Sequence, residues 1–304
     1  MSRVSVVIVS WNSAEHLEAA VRSVPAGVPV VVVDNASDDG SAELAERAGA
    51  VVLKQRENLG FGPACNLGVA EGPAAELVLF LNPDAALLDG AACLGALVAE
   101  LDADPEVAAV APALEGKGQE LFQLRRLPGL GSLAREALLV NRLWPRNRWL
   151  LEERYATSPR RQPFDVDQPA GAALLIRRGD FDALGGFDPA FAPAWFEDVD
   201  LCARLREGGR RIRFVPAARV AHLGGSSMRR LAYRDFVPLY TRNLLRYVGK
   251  HGDTVTRLLS RPVLAAGALL RLALLPLVTG DHPRGETAVA YVRTLRVLFG
   301  GRSA

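Results

Sequence analysis

Along most of the chain, short runs in which every position is apolar alternate with stretches in which apolar residues recur every three or four positions. Residues 3–9, apolar apart from Arg3 and Ser5, and 28–33 are valine-rich runs close to the first kind, and a near-continuous apolar run of that length marks a strand covered on both faces. Asn12 to Ser23 lies between them with helical spacing behind a Ser13 cap, so the chain opens as a βαβ unit. The alternation continues with helices over 42–48, up to Ala70 and over 91–101, and with strands over 50–53, 76–81, 106–112, 172–177 and 211–215. This order predicts an α/β fold with a mostly parallel central sheet flanked by helices. Ligands in such folds sit beyond the carboxyl ends of the strands, where Asn12, Asp34 and the Asn82-Pro83-Asp84 turn fall.

Two stretches depart from the alternation. Residues 114–168 are rich in Arg, Leu and Trp, with one helix predicted near 131–143. Leu184 to Gly209 begins as a loop punctuated by Gly185, Gly186, Pro189 and Pro193, with Phe187, Phe191, Trp195 and Phe196 between the breaks. It ends as a helix, with Val199, Cys202, Ala203 and Leu205 at helical spacing and Gly208-Gly209 as its stop. Glu197, Asp198 and Asp200 therefore crowd a first helical turn, where acids gain about 0.3–1 kcal/mol each from the macrodipole. That gain accounts for one or two of them. A loop that delivers Trp195 beside them also suggests a pocket wall next to a carboxylate kept ionised by the helix end.

Charge divides the chain more sharply than its net +2 suggests. Residues 117–161 hold 10 Lys/Arg against 4 Asp/Glu, residues 229–304 hold 13 against 4, and the remainder carries a net −13. The expected organisation is a catalytic domain over 1–228 with a basic insert at about 114–168, then a helical extension over 229–304. In that extension Arg242, Arg246 and Lys250 repeat every four residues opposite Leu244, Leu245 and Val248. The longest apolar run, residues 263–278, has 16 positions and includes Arg271 and Pro276, short of the ~20 that a spanning helix needs.

Cys65, Cys93 and Cys202 form neither a disulfide framework nor a zinc pattern, and the first residues run straight into a strand without a leader pattern, so a cytoplasmic setting is expected. Gly60-Phe61-Gly62-Pro63 lacks the third glycine of a dinucleotide loop. Ser10-Trp11-Asn12-Ser13 is not the basic, glycine-rich loop of a nucleotidyltransferase. The basic regions lack interleaved aromatics at any motif spacing, and the acidic body opposes nucleic-acid binding.

The blocks together resemble the family 2 glycosyltransferases of GT-A fold, in particular their bacterial rhamnosyltransferase-like branch. The resemblance rests on Val4 to Asn12, Val33 to Ser41, Asn58 to Gly68, Phe80 to Ala85, Ala170 to Ala172, Gly186 to Asp188, Glu197 to Cys202, and His222, in the family's order. It implies an inverting transfer of a sugar, rhamnose-type favoured, from a dTDP- or UDP-linked donor to a hydroxyl of a glycan or lipid-linked glycan in cell-surface polysaccharide synthesis. Asp34 would take the imide N–H of the base, with Asn12, Arg56, Asn66 and Asn82 near the nucleotide. Asp84 would end a DxD-type metal motif whose first acid is here Asn82, and His222 would complete a site for Mg²⁺ or Mn²⁺. Asp198 would be the general base, with Glu197 in reserve and Trp195 and Gly171 on the acceptor side. Basic helices suit contact with the inner face of the cytoplasmic membrane. The competing reading is a silent sugar-nucleotide or glycan binder, prompted by Asn82 and opposed by Asp84, Asp198 and His222.

Overall fold

The computed structural model describes residues 2–116, 123–224, 231–277 and 282–300. The expected boundary at residue 228, and Val278 at the end of the long apolar run, lie outside them. The chain divides into two compact units, one of residues 1–126 and 154–224, the other of residues 127–153 and 225–304. The middle of the basic insert thus belongs with the C-terminal helices.

The first unit is built on β1 (Val4–Ser10), β2 (Val30–Asp34), β3 (Val51–Lys54), β4 (Leu77–Leu81), β5 (Ala85–Leu88), β6 (Val107–Glu115), β7 (Leu124–Arg125), β8 (Phe164–Val166), β9 (Gln168–Pro169), β10 (Ala173–Arg177) and β11 (Arg211–His222). Its helices are α1 (Ala14–Arg22), α2 (Ser41–Arg47), α3 (Phe61–Glu71) and α4 (Gly90–Ala103), followed after the insert by α8 (Arg178–Ala183) and α9 (Glu197–Glu207). The main sheet runs β3-β2-β1-β4-β10-β6-β11-β5, with β8 beside β11. The β3-β2-β1-β4 half is parallel, as the βα alternation predicts. β10 is inserted antiparallel between β4 and β6, and β5 is antiparallel to β11. Val6, Ile8, Val32 and Leu79 are fully buried, in keeping with runs apolar on both faces.

In the second unit, α5 (Leu130–Ala137), α6 (Val140–Leu143) and α7 (Arg148–Glu153) accompany α10 (Tyr233–His251), α11 (Thr254–Leu274) and α12 (Arg284–Phe299). Arg271 donates to the carbonyls of Glu136 and Ala137 and so ties α11 to α5. No helix among the described residues is long and apolar enough to cross a membrane.

Candidate functional site

The carboxyl ends of β1 and β2 lie side by side, with Ser10 opposite Asp34. Asp34 is 4% exposed; its Oδ2 accepts from the Ser37 N–H at 3.1 Å. Its Oδ1, the Ser10 Oγ and the Asn35 Oδ1 are buried without a protein partner. A buried polar atom left unmet costs about 1–3 kcal/mol, so three at one strand end form a surface suited to a polar ligand. Asn12, at φ 51°, staples the two loops: its N–H donates to the Ser37 Oγ at 2.8 Å and its Oδ1 accepts from the Asp38 N–H at 2.8 Å. Ser10 and Asn35 are additions to the expected set. Their signal was only that they flank Asp34 and the end of β1.

Asp84 and His222 come together as the resemblance implied. The first ends the turn between β4 and β5, the second ends β11, and pairing of β5 with β11 sets His222 opposite Ala85. His222 Nε2 lies 3.3 Å from Asp84 Oδ1, with side chains 11% and 5% exposed. The carboxylate suits Mn²⁺ or Mg²⁺, and the imidazole beside it favours the transition metal of the two, Mn²⁺. The described residues hold no cluster of three or more such ligands, so the remaining positions around an ion would fall to the donor diphosphate and water. Asn82, half-buried, anchors this turn through its backbone, donating its N–H to the Ala172 carbonyl at 2.8 Å.

Asp198 sits one residue into α9 and faces Gly171. A Cβ at Gly171 would lie 2.9 Å from Asp198 Oδ2, so only glycine leaves the carboxylate its place. Asp198 Oδ1 accepts from the Val199 N–H at 2.8 Å and Oδ2 from the Gln168 side chain at 3.3 Å, while the Gly171 N–H adds a further donor. The Arg125 guanidinium contributes a nearby positive charge, brought there because β7 pairs with β9 and sets Arg125 opposite Gln168. Burial nevertheless outweighs these donors and raises the Asp198 pKa. The expected lowering by the helix end is therefore corrected in sign. Gln168 and Arg125 escaped sequence reading because the two-residue strands that carry them lie in the stretch without periodicity.

Glu197 turns the other way. It is 7% exposed, its Cβ lies 3.5 Å from where a Gly62 Cβ would be, and its Oε2 has no partner. Burial, then the charge of Asp198, pushes its pKa well above the ordinary 4.5. A carboxyl shifted this way holds its proton more tightly than an ordinary glutamate does. Asn66 is also spent on architecture: its amide donates to the Phe187 carbonyl and accepts from the Phe187 N–H, each at 2.8 Å, pinning the 185–187 loop to α3. Arg56 lies exposed in the loop after β3.

Trp195, half-buried, and Phe196 occupy the left-handed region at φ 71° and 76°. Two such non-glycine residues in succession cost about 1–3 kcal/mol each and gather at functional sites. The loop that holds them is tied to the start of α3, where the Phe61 N–H donates to the Pro193 carbonyl at 2.7 Å.

The mostly parallel sheet thus carries Asp34 and the Asp84–His222 pair at its strand ends, with Asp198 in a niche against Gly171. The chain belongs to glycosyl transferase family 2, whose model matches residues 5–184. It is 32% identical over 235 residues, 71% of this chain and 75% of the relative, to an N-acetylglucosaminyl-diphospho-decaprenol L-rhamnosyltransferase of Mycobacterium tuberculosis. It is 31% identical over 311 residues to a pre-mycofactocin glycosyltransferase of the same organism, covering 99% of this chain and 58% of that protein. Among solved structures, a mannosyltransferase from Pyrobaculum calidifontis, in complex with GDP-Man and Mn²⁺, superposes with a TM-score of 0.60 at 17% identity, over 99% of this chain and 88% of that one.

Proposed function

We propose that this chain is an inverting transferase that moves a sugar, rhamnose-type favoured, from a dTDP- or UDP-linked donor to a hydroxyl of a glycan or lipid-linked glycan in cell-surface polysaccharide synthesis. The observation that carries the reading is the joining of two stations by one short segment before β10. The Asn82 N–H holds Ala172, and the neighbouring Gly171 N–H holds Asp198, so the turn of Asp84 and the niche of Asp198 share a single support. The name of one relative, an L-rhamnosyltransferase acting on a diphospho-decaprenol-linked sugar, supports the rhamnose-type sugar and the lipid-linked acceptor.

In this mechanism Asp34 Oδ1 accepts the imide N–H of the pyrimidine base, which meets its unmatched acceptor. Asp84 and His222 would hold a divalent cation, which supplies charge neutralisation for the departing diphosphate. Asp198 takes the proton of the acceptor hydroxyl while that oxygen bonds to the anomeric carbon from the face opposite the leaving nucleoside diphosphate. One displacement inverts the configuration. Gln168 and Gly171 keep the carboxylate aimed, and Trp195 offers a face to the acceptor sugar. General-base catalysis contributes about 10²–10⁴-fold. Asp198→Asn should therefore lower transfer by at least about a hundredfold in a fold unchanged by circular dichroism, with the wild-type product carrying inverted anomeric configuration by NMR. Retention of configuration, or a variant within about tenfold of wild type, would exclude the assignment.

A further inference from the structure

The outward face of α11 reverses the usual arrangement of a helix in a water-soluble protein. Its buried positions are Thr256, Ser260, Ala265, Gly267 and Ala268, all small or hydroxylated. Gly267 lies so close to α5 that a Cβ there would meet the Ala137 carbonyl oxygen at 2.7 Å. Val263, Leu264, Leu270, Leu272 and Leu274 are half-buried, and a separate set of apolar side chains points away from the packing. Val255, Leu258, Pro262, Ala266, Leu269 and Ala273 succeed one another in steps of three and four residues, which keeps them on one face through five turns, and all six are exposed. Val255, Leu258 and Leu269 are 56%, 70% and 55% exposed. A helix settled in water places its large apolar groups inward and its polar ones outward.

Charge narrows what could cover this face. From Thr254 to Val278 the chain contains no acid, and the exposed Arg257 and Arg261 border the apolar stripe. Their guanidinium groups bond to the carbonyls of Lys250 and Leu298 within the same unit. On α12, Val289, Val292 and Phe299 are also exposed, alternating with Arg293 and Arg296. Residues 229–304 together carry 13 Lys/Arg against 4 Asp/Glu. A second copy docking through the same face would bring like charge against like. An anionic bilayer surface brings acyl chains for the stripe and phosphates for the arginines. The helix does not qualify as a membrane span, so it would lie along the interface.

We propose that the apolar outer face of α11, bordered by Arg257 and Arg261, is a docking surface for anionic lipid bilayers. The inference is independent of the sugar-transfer chemistry and stands or falls without it. The test is flotation of the full chain with phosphatidylcholine vesicles and with vesicles containing about 30% phosphatidylglycerol, at low and moderate salt. Binding to the anionic vesicles is expected, weakened by salt, and reduced by more than about tenfold in a Leu258→Glu/Leu269→Glu variant. Both positions are exposed, so the variant should keep its melting temperature, which is measured alongside. Should the double variant misfold, Arg257→Gln/Arg261→Gln provides the second reading, with anionic binding reduced and neutral binding unchanged. Equal binding of the Leu258→Glu/Leu269→Glu variant and the wild type would overturn the proposal. So would a wild-type dimer by light scattering that this variant converts to monomer without any vesicle binding, since the face would then join two copies.

Discussion

Glu197 and Asp198 are adjacent in sequence and have opposite chemical fates, decided by which side of one helical turn each occupies. Asp198 is met by the N–H groups of Val199 and Gly171 and by Gln168, whereas one oxygen of Glu197 is buried without a partner. The folded protein holds the Glu197 proton more tightly than the unfolded chain does, because burial and then the Asp198 charge raise its pKa well above 4.5. Stability is therefore complete below the ordinary glutamate range and falls as pH climbs from there towards the raised value. Glu197→Gln should flatten that decline, leaving the melting temperature at pH 8 equal to or above wild type, and should keep transfer within about tenfold, since a neutral carboxyl supplies no base. A variant as inactive as Asp198→Asn would return the basic role to Glu197. The resemblance gave Asp198 as base with Glu197 in reserve, but the packing around each acid was not legible in the sequence. Burial is a property of the packed chain, and it reverses the pKa shift that the helix end alone would give Asp198.

At the scale of elements, legibility followed the length of each run. β1, β2 and β4 were evident because four or five consecutive apolar residues, at 6–9, 30–33 and 77–81, leave a strand little competition. β5 escaped because Ala85-Ala-Leu-Leu88 is too short to show a period and adjoins an alanine-rich helix. The strand at 211–215 extends to His222 as β11, through a register shift between Val215 and Arg219 that accommodates Pro216. That extension matters, since it brings His222 to Asp84. The Ala170-Gly171-Ala172 segment before β10 shows how an element end aims a side chain. Gly171→Ala would place a methyl 2.9 Å from Asp198 Oδ2 and 3.2 Å from its Cβ. Displacement of a reacting group by about 1 Å costs on the order of a hundredfold, so kcat should fall towards that of Asp198→Asn while nucleotide affinity holds. Unchanged kcat in Gly171→Ala would show that the niche does not position the base.

For the whole molecule, the charge asymmetry seen in the sequence acquires a structural division. The acidic body forms the unit with the sheet and every candidate site residue, while residues 127–153 join the C-terminal basic helices in the other. Residues 127–153 are nearly neutral, with 4 Arg against 3 Glu, so neither charge nor periodicity in the sequence ties them to the C-terminal helices. The division makes ligand binding separable by location. A pyrimidine nucleotide with Mn²⁺ should stabilise the chain by about 2.7 kcal/mol at a hundred times its Kd, and dTDP or UDP should do so where GDP and NAD do not. Hydrogen exchange should then slow around Ser10 to Asn12, Asp34 to Ser41 and Asn82 to Ala86, with α11 unaltered. Asp34→Ala should abolish the shift with or without metal. His222→Ala should remove only its metal-dependent part, because the base pocket and the Asp84–His222 pair lie at different strand ends. A nucleotide shift untouched by either substitution would place the donor elsewhere on the molecule, and protection confined to the helical unit would assign nucleotide binding to the basic face.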